Sequence, residues 1–220
     1  MTNFNLETLI IYPDQNEKIK KAIILLHGYG GDANDISMLS YNWKRYLHNT
    51  IIICPNGHEK CSLNPIGYQW FDLSVNDEDF ILEESKKAEF KINSFIDEVK
   101  KKYNLDNGDI CLSGFSQGCM MALNVGLTSS ENYNSIVGFS GKIINKEDLS
   151  KRIKSKTRTL LIHGDLDNVV PTHYLLEAKD FLMRNKIEVD TKIINNCEHN
   201  IPIEASSTAL NFIKQHLYKL

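Results

Sequence analysis

Short apolar runs alternate with longer helical patterns along nearly the whole chain. The run Ala22–His27 is apolar up to its final histidine, as expected for a strand buried on both faces of a sheet. Residues Ile81–Tyr103 instead place their apolar side chains on one stripe at helical spacing. This alternation predicts an α/β fold, a mostly parallel central sheet with helices on both faces. The other predicted elements are strands at Leu6–Tyr12, Thr50–Cys54, Asp109–Ser113, Ser135–Phe139, Thr159–His163 and Glu188–Ile194, and a helix at Pro202–Leu217.

Length and composition restrict the classes of protein that this chain can represent. A chain of 220 residues predicts a single domain over 1–220. The net charge of -3 gives no basic surface for nucleic acid. No apolar run approaches the roughly 20 residues that span a membrane. Five cysteines, no two at C-x-x-C spacing, argue against a metal site and predict free thiols in the cytoplasm.

The segment Gly114–Gly118 reads G-x-S-x-G and lies between a predicted strand and a helical pattern. In that context the motif places a serine on a tight turn, and the glycines let strand and helix approach each other closely. Ser116 would then be exposed above the sheet at a helix N-terminus, where the helix dipole favours developing negative charge. The competing interpretation is a glycine-rich turn without chemistry. We take Ser116 as the candidate nucleophile.

A serine nucleophile needs a base, and the base needs an acid that orients it. In α/β-hydrolases the acid and then the histidine follow the serine along the chain. Asp165 and Asp167 both follow a predicted strand. We favour Asp167, which lies further out and can reach a neighbouring loop, over Asp165, which is placed to brace its own loop. His173 lies in the first turn of a helix and His216 in the last helix, so we expect both at the surface, and we predict His199 as the base.

Two backbone N–H groups are expected to stabilise the oxyanion. One belongs to Gln117, directly after the serine, and the other to Tyr29 in the glycine-rich segment Gly28–Gly31. A glycine-rich loop after a strand is also typical of phosphate binding. However, this segment matches neither G-x-G-x-x-G nor a Walker loop, which argues against a nucleotide site.

Four segments together resemble the phospholipase/carboxylesterase family, which includes acyl-protein thioesterases and lysophospholipases. They are Leu26–Asp32, Trp70–Asp72, Gly114–Gly118, and His163–Asp167 with Val170–Pro171. With His199, the resemblance covers nearly the entire chain. It implies the α/β-hydrolase fold and hydrolysis of ester or thioester bonds of acyl chains, with no metal and no organic cofactor.

The resemblance also implies roles for single residues. Ser116, Asp167 and His199 correspond to the catalytic triad, and Tyr29 and Gln117 to the backbone oxyanion donors.

Two positions depart from the family pattern. Cys119 stands where a glycine commonly follows the motif, which is expected to alter packing under the nucleophile. Asn168 replaces the proline often found after the acid, which is expected to leave that loop less rigid.

Four residues are predicted to line the acyl-binding site. Trp70 and Phe71 lie on a long connection where aromatic side chains can wall an apolar groove, although they are about as well placed to plug the core. Val169 and Ile201 flank the predicted acid and base. The remaining apolar candidates are expected to fill the core, namely Met38, Met120 and Met121.

The sequence thus predicts a serine hydrolase that cleaves ester or thioester bonds through an acyl-enzyme. The substrate is a small or lipid-like acyl ester or thioester, or an acylated protein. The alternatives are a catalytically silent binding protein with the same fold and a peptidase on that fold. An exposed apolar groove would also favour a homodimer.

Overall fold

The structure is a computed structural model that describes residues 4–14 and 17–218. Within these residues the chain forms a seven-stranded sheet and a small hairpin. The strands are β1 (Thr8–Ile11), β2 (Lys21–Leu26), β3 (Thr50–Pro55), β4 (Glu59–Lys60), β5 (Tyr68–Gln69), β6 (Ile110–Phe115), β7 (Ser135–Phe139), β8 (Thr159–Gly164) and β9 (Val189–Ile194). The large sheet has seven strands in the order β1-β3-β2-β6-β7-β8-β9. The strand β1 runs antiparallel to β3, and the other neighbours are parallel.

Helices cover both faces of this sheet. They are α1 (Ala33–Trp43), α2 (Glu78–Tyr103), α3 (Gln117–Thr128), α4 (Lys146–Arg152), α5 (His173–Arg184) and α6 (Ile203–Leu217). Successive side chains of a strand point to opposite faces. Ile23 and Leu25 therefore pack with α1 and α6, whereas Ile24 and Leu26 pack with α2, α3 and α5. The predicted α/β-hydrolase architecture is confirmed.

The predicted elements lie where the sequence pattern placed them, with ends displaced by a few residues. The helix α2 begins at Glu78 rather than Ile81, because the Asp77 side chain caps it by accepting the Phe80 N–H at 2.9 Å. The helix starts with two acidic residues, Glu78 and Asp79, so the apolar stripe starts later than the helix. The hairpin β4–β5 was missed, since strands of two residues carry no detectable period.

The carboxyl ends of four parallel strands meet along one edge of the sheet. The loop after β2 carries Tyr29, the turn after β6 carries Ser116, the loop after β8 carries Asp167 and the loop after β9 carries His199. This is the edge at which open α/β sheets bind their ligands. The fold thus brings four distant parts of the sequence to one place.

One predicted core residue lies elsewhere. Met120 and Met121 are buried as predicted, but Met38 is 63% exposed on α1. It lies between Ser37 and Leu39, which face the protein, so the helical period turns it outward. Among the described residues, no helix is long and apolar enough to cross a membrane.

Candidate active site

Ser116 lies on a strained turn between β6 and α3. Its backbone has φ 53° and ψ -116°, a conformation that side-chain-bearing residues rarely adopt. A Cβ on Gly114 would collide with the Gly118 backbone, and one on Gly118 would collide with the Leu26 backbone. Both flanking glycines are therefore required by close backbone contacts. Ser116 itself is 8% exposed, which is less than the motif predicts, because neighbouring loops surround it.

Asp167 and His199 are paired. The Nδ1 atom of His199 lies 2.7 Å from Oδ2 of Asp167, whose side chain is fully buried. Oδ1 of Asp167 accepts the N–H groups of Val169 at 3.0 Å and Val170 at 2.8 Å. A carboxylate oxygen can only accept a hydrogen bond. Nδ1 of His199 therefore carries the ring proton and donates a hydrogen bond to Oδ2 of Asp167. Asp165 instead accepts the Cys197 N–H at 3.1 Å and braces the adjoining loop.

The pKa of Asp167 is lowered by its hydrogen bonds. Burial by itself raises this pKa, but the hydrogen bond from His199 and those from the Val170 and Val169 backbone together outweigh it. Asp167 is therefore ionised at neutral pH. A buried carboxylate in this position stabilises an imidazolium at His199.

Ser116 and His199 line the same groove. Within the described part of the chain, the Ser116 hydroxyl makes no hydrogen bond to His199. Such hydrogen bonds are often long in the absence of substrate and shorten when it binds. The His199 ring packs against Phe115, the residue before Ser116, with 4.7 Å between ring centroids.

The other two candidate histidines lie away from this group. His173 is exposed at the start of α5, as predicted. His216 is half-buried rather than facing solvent. Its ring packs edge-on against Phe212, with 4.5 Å between centroids, and lies 3.2 Å from an Arg158 nitrogen.

The backbone N–H groups of Tyr29 and Gln117 are both free. Neither donates a hydrogen bond to another group in residues 4–14 or 17–218. A Cβ built on Gly28 would lie 3.3 Å from Cβ of Ser116, so the peptide that precedes Tyr29 lies against Ser116. The Tyr29 hydroxyl is held by Ser62 at 2.8 Å and by Asp72 at 3.2 Å. Two unpaired donors at this position are the arrangement that an oxyanion needs.

Two grooves meet at Gly28, Tyr29, Phe115 and His199. The first, which we call the Ser116 groove, has a volume of about 400 Å³, and its apolar wall includes Leu73, Met120 and Val169. One cation, Lys142, also lines it. The second, which we call the Ile201 groove, has a volume of about 360 Å³ and is lined by the apolar side chains of Ile36, Leu39 and Ile201. Val169 thus lines the groove that contains Ser116, whereas Ile201 lines the adjoining groove.

Trp70 and Phe71 do not line either groove, which corrects the expectation that they wall the acyl-binding site. They are 0% and 1% exposed. The Trp70 indole N–H donates to the His27 carbonyl at 2.9 Å, so its ring points under the loop. Leu73 and Lys142 also line the Ser116 groove. The sequence did not predict them, because isolated side chains on loops carry no periodic signal.

The two departures from the family pattern have different surroundings. The Cys119 thiol is buried against Gly138 and Gly141, where a Cβ on either glycine would collide with its sulfur. Burial raises the pKa of this thiol to about 12, so Cys119 is a packing group rather than a nucleophile. Asn168 is exposed on the turn after Asp167. Among the described residues, no cluster of His, Cys, Asp or Glu has the geometry to hold a metal ion.

Two buried histidines next to the site predict acid sensitivity. Burial lowers the pKa of His27 and of His163, so both are neutral in the folded protein. In the unfolded chain they bind protons near pH ~6.5, whereas the folded protein takes them up only at lower pH. We therefore expect the free energy of unfolding to fall below pH ~6.5, by at most about 1.4 kcal/mol per pH unit for each histidine.

Urea unfolding between pH 7.5 and 5.0 measures this slope. His27→Asn removes one titrating imidazole and should flatten it. A stability that stays constant over this range would contradict the assignment of two buried neutral histidines.

The sheet, the strained serine turn and the site loops define an α/β-hydrolase. A model of the phospholipase/carboxylesterase family matches residues 8–219. The chain therefore belongs to the phospholipase/carboxylesterase family, as the motifs predicted. It is a hydrolase of ester or thioester bonds.

Individual relatives agree with this assignment. Acyl-protein thioesterase 1 of Kluyveromyces lactis is 26% identical over 216 residues, which cover 90% of this chain and 92% of that protein. Esterase YpfH of Escherichia coli is 24% identical over 203 residues, which cover 91% of this chain and 84% of that protein. The crystal structure of esterase PE8 superposes with a TM-score of 0.91 at 34% identity and covers 96% of this chain and 99% of its own.

Proposed function

We propose that this protein hydrolyses acyl esters or thioesters by a serine mechanism with a covalent acyl-enzyme. Ser116 is the nucleophile, His199 the general base and acid, and Asp167 the residue that orients His199. The backbone N–H groups of Tyr29 and Gln117 form the oxyanion hole.

The steps follow from this geometry. Oγ of Ser116 attacks the carbonyl carbon while Nε2 of His199 takes the hydroxyl proton, and the carbonyl oxygen becomes an oxyanion between the two N–H groups. The carbonyl re-forms as the bond to the leaving oxygen or sulfur breaks, and His199 returns the proton to that atom. Water then attacks the acyl-enzyme, with the same histidine as base, and releases the carboxylic acid and Ser116.

One observation carries this proposal, the hydrogen bond of 2.7 Å between His199 and the buried Asp167 beside the strained Ser116. A silent binding protein has no need for a buried carboxylate held ionised against a histidine. Perturbed groups of this kind, at the end of a groove, are characteristic of catalytic sites.

The wall of the Ser116 groove is apolar. This favours an acyl chain as the part of the substrate that binds there. Leu73, Met120 and Val169 offer it aliphatic contacts, and the mouth of the groove is open to solvent at Val169, which is 69% exposed. An open mouth allows a chain attached to a larger molecule. Acylated proteins are therefore included in the proposed substrate class, in keeping with the thioesterase relatives. A single domain over 1–220, a cytoplasmic location and a homodimer stay predictions.

Labelling with a fluorophosphonate tests the mechanism. We expect the probe to modify Ser116, as located by peptide mass spectrometry, and Ser150→Ala, a change at an exposed serine of α4, to leave labelling intact. Absence of labelling in the folded wild-type protein would favour the silent binding protein. Labelling with turnover of peptides but not of esters would favour the peptidase.

A chain-length series of p-nitrophenyl esters and matched thioesters then defines the substrate. We expect kcat/KM to increase from acetate to medium-length acyl groups, because each added methylene buries apolar surface worth roughly 0.8 kcal/mol. A preference for acetate would contradict the placement of the acyl chain in the Ser116 groove.

A further inference from the structure

The oxyanion donor at Tyr29 belongs to a peptide whose other end is held by a side chain. The carbonyl of that peptide is the Gly28 C=O, and Nδ1 of His27 lies 2.7 Å from its oxygen. The peptide is trans, so its C=O and N–H point in opposite directions. A hydrogen bond that fixes the Gly28 carbonyl on one side therefore fixes the direction of the Tyr29 N–H on the other.

The imidazole of His27 can act only as a donor to Gly28. Its Nε2 accepts the Gly57 N–H at 2.8 Å, which places the single proton of the neutral ring on Nδ1. The ring is 1% exposed and stacks on Trp70, with 5.1 Å between ring centroids and 28° between ring planes. Burial lowers the pKa of His27, so the same tautomer persists through the neutral pH range.

The second donor is tied to the same structure. The side-chain carbonyl of Gln117 accepts the Trp70 N–H at 2.9 Å, and its amide nitrogen donates to the Phe71 carbonyl at 2.6 Å. The Trp70 indole N–H in turn donates to the His27 carbonyl at 2.9 Å. A single buried segment, Trp70–Phe71, thus contacts the residues on which both oxyanion donors depend.

We propose that His27 is a positioning residue of the oxyanion hole, and that the Trp70–Phe71 segment sets the spacing of the two donors by binding His27 on one side and Gln117 on the other. This inference rests on the proposed function, because it assigns a purpose to the Tyr29 and Gln117 N–H groups. It also gives Trp70 and Phe71 a part in catalysis without contact to the substrate.

The Gly31 N–H also donates to the Gly28 carbonyl, at 3.1 Å, so His27 is not its only partner. Loss of the His27 hydrogen bond should therefore loosen the peptide rather than invert it. Removal of a whole oxyanion donor reduces kcat by about 10²–10³-fold, and a loosened donor should reduce it by less, about 10–10²-fold.

Two variants of His27 separate positioning from folding. In His27→Asn, the amide nitrogen occupies the position of Nδ1 and can still donate to the Gly28 carbonyl. In His27→Gln, the amide oxygen occupies the position of Nε2 and can still accept the Gly57 N–H, but nothing donates to Gly28. Both variants lose the imidazole that stacks on Trp70, so they are matched in their loss of packing.

The measurements are kcat and KM for one ester, the rate of fluorophosphonate labelling of Ser116, and Tm. We expect His27→Gln to reduce kcat and the labelling rate about 10–10²-fold at unchanged KM, since the ester carbonyl and the phosphoryl oxygen use the same N–H groups. His27→Asn should retain most of the wild-type kcat and labelling rate, and its Tm should be similar to that of His27→Gln.

Equal rates in the two variants would overturn the positioning role, whether both are active or both are impaired. An increase in KM alone would also overturn it, because that marks lost substrate binding. If wild-type protein neither labels nor turns over esters, the proposed function fails instead, and the two failures are therefore distinguishable.

Discussion

Asp167→Asn is expected to reduce kcat about 10⁴-fold while KM changes little. The reason lies in the hydrogen bonds of Asp167. Its Oδ1 accepts two backbone N–H groups, from Val169 and Val170, so an asparagine there must keep its carbonyl oxygen in that place. Its NH₂ group then faces His199. Nδ1 of His199 becomes the acceptor, the ring proton moves to Nε2, and Nε2 can no longer take the proton of Ser116.

Asp165→Asn is the matched control. Asp165 is exposed and accepts one backbone N–H, from Cys197, which an asparagine oxygen can accept equally well. We expect its kcat to fall less than 10-fold. Steady-state kinetics on one ester with both variants, with circular dichroism to confirm folding, decides the assignment. A larger loss in Asp165→Asn, or similar losses in both, would show that the acid of the triad is not Asp167.

The candidate triad could be predicted from the sequence because the motifs that indicate it are local. G-x-S-x-G between a strand and a helix marks Ser116, and the order of acid and histidine along the chain narrows the partners to a few residues. The structure then supplies what spacing does not contain, since Asp167 and His199 lie in loops after different strands and meet only when β8 and β9 pair in parallel.

The orientation of side chains on loops could not be predicted from the sequence. Trp70 reads the same in the sequence whether its ring walls a groove or plugs the core. Its direction is set by the His27 carbonyl, which is 43 residues away and binds the indole N–H. His27 was missed for a related reason. It looks like the end of a buried strand, and its hydrogen bond to its own neighbour depends on the turn that follows.

The buried face of a helix could be predicted where the helix was long, but not where it was short. The helix α2 has 26 residues, and its stripe gave the buried face correctly. Helix α1 has 11 residues, with buried serines at Ser37 and Ser40 that weaken its apolar pattern, and the apolar Met38 between them points to solvent.

Ser116→Ala is expected to reduce kcat by about 10⁶-fold, since the acyl-enzyme cannot form. A second substitution, Ser116→Gly, tests whether the backbone at Ser116 is strained. Alanine keeps a Cβ at φ 53° and ψ -116°, whereas glycine adopts positive φ freely. The strain of such a residue is about 1–3 kcal/mol and exceeds the usual 0.5–1 kcal/mol penalty of glycine in the unfolded chain. Ser116→Gly should therefore be about 1 kcal/mol more stable than Ser116→Ala, although both are inactive.

The control is the same pair of substitutions at Ser207, an exposed position inside α6. There the backbone is helical, so Ser207→Gly should be about 1 kcal/mol less stable than Ser207→Ala. Urea unfolding of the four variants measures both differences. Opposite signs at the two positions mean that the turn holds Ser116 against its own conformational preference, and the nucleophile is then kept in place by the packing of β6, α3 and the Leu26 backbone around it. The same sign at both positions would mean that the turn stores no strain.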